Sequence, residues 1–94
     1  MVLEVALLDI KTGSEKAFAA DYASAKELVA ATPGCRSMRM TQGIETATRF
    51  VLLVEWDSVA AHQAFRDSER FGQWRSLVGP HFDGAPRVEH FVDL

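Results

Sequence analysis

Three histidines and an arginine beside aromatic residues are the side chains of this chain best suited to acid–base chemistry. His62 lies on the apolar stripe of a predicted helix, and histidine titrates close to neutral pH. Two roles fit it: a pocket acid or base, and a partly buried histidine hydrogen-bonded to a carbonyl or carboxylate. Arg75 follows Trp74 and could donate hydrogen bonds to an anion in a pocket. A surface ion pair with Asp67 or Glu69 fits Arg75 equally well.

The other two histidines have less defined positions. His81 follows the helix-ending Pro80 and could line the mouth of a pocket or meet solvent. His90 falls on the apolar side of the last predicted strand, where a structural or dimer-interface role fits better than catalysis. No two histidines have the HxxxH or HxH spacing of metal ligands, so a metal site is not expected.

Aromatic side chains close to the same helix could enclose an apolar cavity. The candidates for its wall are Phe50, Trp56, Phe65, Phe71 and Trp74. Trp56 and Trp74 also fit a role as core or interface aromatics, because large rings dominate burial whatever the function of a protein.

The segment from Arg49 to Trp56 predicts a strand that is apolar on both faces. Side chains alternate along a strand, so the even-numbered positions 50 to 56 point to one face and Val51 and Leu53 to the other. A chain of 94 residues with two helical regions covers one sheet face, and the second face needs another molecule or a bound apolar ligand. The strand therefore predicts a homodimer formed through the open face of the sheet.

Periodicity and turn signals place four strands and two helical regions along the chain. The strands are predicted at residues 2–10, 35–40, 49–56 and 88–94. The order β-α-β-β-α-β predicts an α+β, ferredoxin-like fold in which both helical regions cover one face of a four-stranded antiparallel sheet. With no linker or repeat between the elements, residues 1–94 are expected to form a single domain.

The helix boundaries carry recognisable capping signals. Thr12 and Glu15 match a capping box at the start of the first helix, which is predicted to end before Pro33-Gly34. The second helical region is predicted to start at Asp57-Ser58 and to bend at a fresh cap at Ser68. It should end at Gly79-Pro80.

Composition excludes several classes of function. The chain has 10 basic and 13 acidic side chains, so it lacks the positive field of a nucleic-acid or anionic-membrane binder. Cys35 is the single cysteine, so no intrachain disulfide can form and nothing indicates an oxidising compartment. Its side chain best fits a small buried hydrophobe.

No segment has the length of a membrane span or the pattern of a signal peptide, and a cytoplasmic location is expected. No GxGxxG, P-loop or GxSxG motif occurs, and no cofactor is predicted.

Most of the chain resembles the antibiotic biosynthesis monooxygenase family, and the match is strongest from residue 50 to the end. The residues that carry the resemblance are Val54-Glu55-Trp56-Asp57-Ser58, Ala61-His62, Phe65-Arg66, Ser68, Phe71, Trp74-Arg75, Pro80 and the closing Pro86-Arg87-Val88-Glu89-His90-Phe91. Pro33-Gly34-Cys35 before the second strand and the chain length match as well. The resemblance implies a ferredoxin-like dimer whose sheets stack into a shared barrel, with a pocket in each subunit between sheet and helices.

The same resemblance implies chemistry, because the best-understood members oxidise aromatic polyketides or quinols without metal or flavin. Trp56 matches the tryptophan at the end of their third strand, and Arg75 matches their helix arginine with an offset of one residue. His62 stands where they have a tyrosine, and Leu52 replaces a pocket asparagine. Relatives that degrade haem match less well, since their axial histidine falls near Arg75 and their strand-one asparagine near Ala6, and haem chemistry is not predicted.

These observations predict a homodimeric, cofactor-independent monooxygenase-like protein that acts on a small aromatic or quinol-type compound. His62 is the candidate base, Arg75 the candidate stabiliser of the anion and Trp56 a wall of the pocket. The remaining pocket residues are predicted to be Phe50, Leu52, Phe65, Phe71, Trp74 and His81. Two alternatives stay open: a non-catalytic dimeric module that binds an apolar metabolite, which Leu52 favours, and an isomerase or lyase on the same scaffold.

Overall fold

A computed structural model describes residues 1–94 and contains one four-stranded antiparallel sheet with its helices on one face. The strands are β1 (Val2–Asp9), β2 (Cys35–Gln42), β3 (Arg49–Trp56) and β4 (Arg87–Phe91), and they lie side by side in the order β2-β3-β1-β4. The helices are α1 (Glu15–Ala30), α2 (Val59–Arg66) and α3 (Glu69–Val78). The predicted ferredoxin-like α+β fold is confirmed, with the second helical region divided into α2 and α3.

The central strand β3 has the two-faced pattern that its sequence predicts. Its even-numbered residues from Phe50 to Trp56 are all buried under the helices, whereas Val51 and Leu53 are only half-buried on the other side. The neighbouring β1 repeats this alternation, since Ala6 pairs with Leu52 and is buried as well. The hydrophobic core therefore lies between the sheet and the helices, and the second face of the sheet is left without cover in the single chain.

The helix caps agree with the sequence in the second half and differ in the first. The Ser58 side chain accepts a hydrogen bond from the Ala61 amide at 3.1 Å, as an N-cap does. The predicted capping box at Thr12 is wrong, because α1 starts after Ser14. Glu15 instead accepts a hydrogen bond from the Gly13 amide at 2.9 Å. The Glu15 carboxylate therefore binds the loop before α1, but at Gly13 and not at the predicted cap residue Thr12.

Two strand boundaries also differ from the predictions. β2 continues to Gln42, beyond the predicted end at residue 40, and the Gln42 side chain closes the following turn with a 2.8 Å hydrogen bond to the Ala47 carbonyl. β4 ends at Phe91 although apolar residues alternate to the end of the chain. Val92 is 71% exposed there. Alternation predicts which face a residue takes, but a strand continues only where a neighbouring strand offers hydrogen bonds.

The segment after α3 is tied back to the end of β1. A 3-10 turn covers Gly79–His81, and the Lys11 amide donates to the His81 carbonyl at 2.9 Å. The Asp83 amide donates to the Asp9 carbonyl at 2.7 Å, and Ile10 forms an isolated bridge with Phe82. These bonds hold the Phe82 ring at the edge of the core. No helix of this fold is long and apolar enough to cross a membrane.

Candidate active site

A cavity of about 250 Å³ lies between the sheet and the helices. Most of its wall is apolar and comes from every layer of the fold: Ala6, Leu8, Leu52 and Val88 from the sheet, Val29, Phe65, Phe71 and Trp74 from the helices, and Phe82, Ala85 and Pro86 from the segment before β4. Four ionisable side chains complete it, namely Glu4, His62, Arg66 and Arg75. An apolar enclosure with a few convergent polar groups is the usual form of a small-molecule site.

Glu4 is a carboxylate on the apolar face of the central strand β1. It is only 5% exposed, and its Oε1 accepts a hydrogen bond from the Trp56 indole nitrogen at 2.9 Å. The Nε2 atom of His62 lies 3.3 Å from the same oxygen. Burial raises the pKa of Glu4 above its ordinary value, while the Trp56 hydrogen bond and the positive charge of Arg66 oppose that rise. Glu4 is therefore a buried carboxyl with a raised pKa at the wall of the cavity.

His62 links Glu4 to the last strand. Its imidazole stacks on Trp56 with 5.1 Å between ring centroids and 12° between planes, and its Nδ1 lies 2.7 Å from Nε2 of His90. Burial lowers the pKa of His62 to about 4, with the charges of His90 and Arg66 acting in the same direction. A neutral His62 that donates from Nε2 to Glu4 and accepts at Nδ1 from His90 satisfies all three groups, and we assign that tautomer.

The sheet register explains why these side chains meet. Glu4 pairs with Val54 of β3 on one side and with His90 of β4 on the other, so Glu4 and His90 are neighbours on the face that the helices cover. The Ser58 cap sets the start of α2, and His62 lies one turn later, above both residues. Every buried side-chain nitrogen and oxygen in the structure has a hydrogen-bond partner. The cluster of Glu4, Trp56, His62 and His90 is therefore complete within one chain.

The two arginines of the cavity have no carboxylate partner. The guanidinium of Arg75 lies 5.8 Å from the centroid of the Phe71 ring and 5.7 Å from that of Phe82, and such cation–π contacts favour this position. Neither Arg66 nor Arg75 belongs to any of the five ion pairs of the structure. The surface ion pair considered for Arg75 does not form, and Asp67 accepts a 3.1 Å hydrogen bond from Gln63 instead.

The structure brings together most of the side chains that the sequence singled out. Six of them line the cavity: Leu52, His62, Phe65, Phe71, Trp74 and Arg75.

The other three candidates lie elsewhere. Trp56 is fully buried behind His62, and Phe50 packs edge-on against Phe18 with 4.9 Å between centroids. His81 contacts Asp21 of α1 at 2.6 Å. These three positions therefore support the core and the cluster without lining the cavity.

Three residues of the site are not among the sequence-based candidates. In the sequence, Glu4 only interrupts an apolar strand, Arg66 contributes only to the family resemblance, and His90 has a predicted structural or interface role. The sequence does contain one sign of the role of Glu4. It is two residues before Ala6 and four before Leu8, so it lies on the same buried face of β1 as they do. A carboxylate on a buried face needs partners. The structure contains no group of three or more His, Cys, Asp or Glu side chains arranged to hold a metal ion.

Comparison with known proteins identifies the family. Residues 1–77 match the model of the antibiotic biosynthesis monooxygenases, and the chain belongs to that family. A solved structure of a candidate antibiotic biosynthesis monooxygenase from Bordetella bronchiseptica shares 34% identity and a TM-score of 0.95, covering 99% of this chain and 96% of that one. The family resemblance stated from the sequence is confirmed, and proteins of this family are typically dimers.

Two further relatives differ in size. The uncharacterized protein YczJ of Bacillus subtilis is 32% identical over 95 residues, with full coverage of both chains. Protein SchA of Streptomyces halstedii is 27% identical over 88 residues, which cover 94% of this chain and 23% of SchA. The chain thus matches YczJ over its whole length and SchA over about a quarter of it.

Proposed function

We propose that this protein is a cofactor-independent monooxygenase that works as a homodimer on a small aromatic or quinol-type compound. The observation that carries the proposal is the Glu4 carboxylate, buried at the wall of an apolar cavity and held between Trp56 and His62. Family membership and the monooxygenase-type relative support the same class of reaction. An electron-rich ring needs only a base and a stabilised anion to react with dioxygen.

The proposed reaction balances without a cofactor. For a quinol or another electron-rich phenol, Glu4 removes the proton of the ring hydroxyl, and Arg75 stabilises the negative charge that spreads into the ring. The phenolate transfers electrons to O₂, and a C–O bond forms at a ring carbon that carries hydrogen to give a peroxide anion. Glu4 returns its proton to that anion, and loss of water leaves a quinone-type product. For a simple phenol the sum is C₆H₅OH + O₂ → C₆H₄O₂ + H₂O.

In this proposal His62 assists Glu4 and is not itself the base. With a pKa lowered to about 4, the His62 imidazole is a weak proton acceptor near neutral pH. A carboxyl whose pKa is raised by burial matches the task more closely. His62 orients the Glu4 oxygen, and the partly exposed His90 connects the cluster toward solvent. Trp56 does not line the cavity and acts through the hydrogen bond that it donates to Glu4.

Oxygen uptake with a panel of reduced anthrones and quinols tests the proposal. We expect an oxidised product with one oxygen atom more and two hydrogen atoms fewer than the substrate, and a kcat about 10²–10⁴-fold lower in Glu4→Gln. The glutamine still accepts the Trp56 hydrogen bond, so that variant removes the base with little change of shape. Arg70→Gln is the matched control, because Arg70 is exposed on α3 and outside the cavity. A flat oxygen trace for every substrate, or full activity in Glu4→Gln, contradicts the proposal.

The same cluster favours one other class of reaction. A buried carboxyl with a raised pKa can also move a proton between two carbons of a substrate, as an isomerase or lyase does, and this needs no oxygen. The apolar Leu52 in the cavity wall fits this alternative and a pure binding module as well. Product mass separates them: an added oxygen for the oxygenase, an unchanged or split formula for the isomerase or lyase, and ligand-dependent thermal stabilisation without product for the binding module.

A further inference from the structure

The charges around the cavity are opposite in sign to those of the whole chain. The chain carries a net charge of −3, yet its cavity is lined by two guanidinium groups and a single carboxylate. Even with Glu4 ionised and His62 neutral, the lining is positive. A low-dielectric cleft of one sign concentrates ligands of the opposite sign.

The two arginines are free to bind a ligand. Three exposed arginines pair with acids of this chain, as Arg36 does with Asp57 at 2.5 Å and Arg49 with Asp9 at 3.4 Å, whereas others outside the cavity, such as Arg70, do not. Arg66 at the end of α2 has no such partner, and neither has Arg75 on α3. Planar guanidinium groups bind carboxylates in a bidentate geometry that lysine cannot reproduce.

Arg75 is also held in place before any ligand arrives. Its guanidinium lies over the rings of Phe71 and Phe82, at 5.8 and 5.7 Å from their centroids. The two rings belong to different segments, because Phe82 follows the 3-10 turn that is bonded to the residues after β1. Fixing a long side chain in advance lowers the entropic cost of binding.

The size of the cavity limits the ligand. Sites for drug-sized molecules commonly enclose about 300–1,000 Å³, and this cavity has about 250 Å³. Its walls are mainly aliphatic and aromatic, which suits a flat ring system. One or two rings fit this volume better than three or four fused rings.

We propose that the ligand is an aromatic carboxylate of one or two rings with a ring hydroxyl, whose carboxylate binds Arg66 and Arg75 on the helical side. Its hydroxyl then faces Glu4 on the sheet side. This inference names the substrate class of the site described above and rests on the proposed function only for what happens after binding.

Calorimetric titration with 6-hydroxy-2-naphthoate, whose hydroxyl and carboxylate lie at opposite ends of two fused rings, and with its methyl ester tests this assignment. The two compounds share the ring and hydroxyl and differ in the negative charge. We expect the acid to bind at least tenfold more tightly than the ester. Arg66→Gln and Arg75→Gln should each lower the affinity for the acid about tenfold and leave that for the ester within about twofold. Arg70→Gln, an exposed arginine of α3 outside the cavity, should change neither.

Several outcomes overturn the inference: equal or tighter binding of the ester, no binding of either compound, or unchanged acid binding in both arginine variants. The ester also reports whether each variant is folded, since it needs the cavity but not the arginines. Binding involves no turnover, so the outcome is independent of the reaction proposed above. Acid binding without oxygen uptake contradicts the oxygenase alone, whereas oxidation of neutral quinols without acid binding contradicts this inference alone.

Discussion

At the scale of single residues, burial shifts the pKa values of Glu4 and His62 in opposite directions. Both favour their uncharged forms, so the pKa of Glu4 is raised and that of His62 is lowered to about 4. A lowered pKa gives stability that is complete above the ordinary value of 6.5 and is lost as the pH falls toward 4. The raised pKa of Glu4 acts the other way, because its contribution is complete below 4.5 and is lost as the pH rises.

The first prediction isolates the His62 contribution. We expect the difference in unfolding free energy between the natural chain and His62→Gln to shrink as the pH falls from about 7 to about 4, by up to about 3 kcal/mol. Urea unfolding at a series of pH values measures it. His81→Gln is the control, because His81 lies outside the buried cluster and contacts Asp21 of α1, and that difference should not shrink. A constant difference for His62→Gln across the range contradicts the burial argument.

At the scale of elements, the close approach of the α1–β2 turn to α2 fixes where His62 lies. Gly34 has a φ of +89°, and a Cβ on it would lie 2.7 Å from the Cβ of Ala61. The Gly34 carbonyl also accepts a 2.8 Å hydrogen bond from the Asp57 amide, just before the Ser58 cap. The turn and the first residues of α2 therefore support each other.

The second prediction compares two glycines with nearly the same positive φ. Gly13 has a φ of +92°, and a Cβ on it would have no neighbouring atom within 4 Å, so Gly13→Ala should cost about 1 kcal/mol of unfolding free energy. Gly34→Ala carries the same conformational cost and also a steric clash, and we expect a loss of about 2–4 kcal/mol. Chemical denaturation of both variants measures this. Equal losses would show that α2 moves away without cost.

The elements were more predictable from the sequence than the site, for a physical reason. Alternation along β3 and the Ser58 cap are local patterns, and local patterns decide where strands and helices form. The cluster depends on Glu4, His62 and His90, which are far apart in sequence. Only the pairing of β1 with β4 and the placement of α2 bring them within hydrogen-bond distance. The misplaced capping box shows the same limit at short range, since Thr12 and Ser14 are chemically similar candidates for one helix start.

At the scale of the whole molecule, the uncovered face of the sheet is the feature that a single chain leaves unresolved. Its centre consists of half-buried apolar side chains of the two central strands: Leu3, Val5, Leu7, Val51 and Leu53. Phe91 of β4 is 48% exposed. Contiguous apolar patches of this kind mark interaction surfaces, and proteins of this family are typically dimers. A second copy of the chain is the partner that we propose.

The third prediction tests that face. Leu53→Lys places a charge at the centre of the sheet, and burying it in an interface is costly, so we expect sedimentation to show a shift from a dimer to a 10.4 kDa monomer. Val59→Lys is the control, because Val59 is 49% exposed at the start of α2 on the helical side. That variant should stay dimeric. A dimeric Leu53→Lys protein, or a monomeric natural chain, places the contact elsewhere or excludes it.

Because every buried polar side-chain atom already has a hydrogen-bond partner, ligand binding should require little rearrangement of the site. Because Trp56 and His62 already anchor Glu4, an incoming compound does not have to recruit or reorient the proton-transfer group. Little side-chain freedom is lost on association, and the backbone should superpose closely between the empty and occupied states. Affinity for a ligand then depends on how well its shape and charge match the aromatic rings and charged groups that line the cavity.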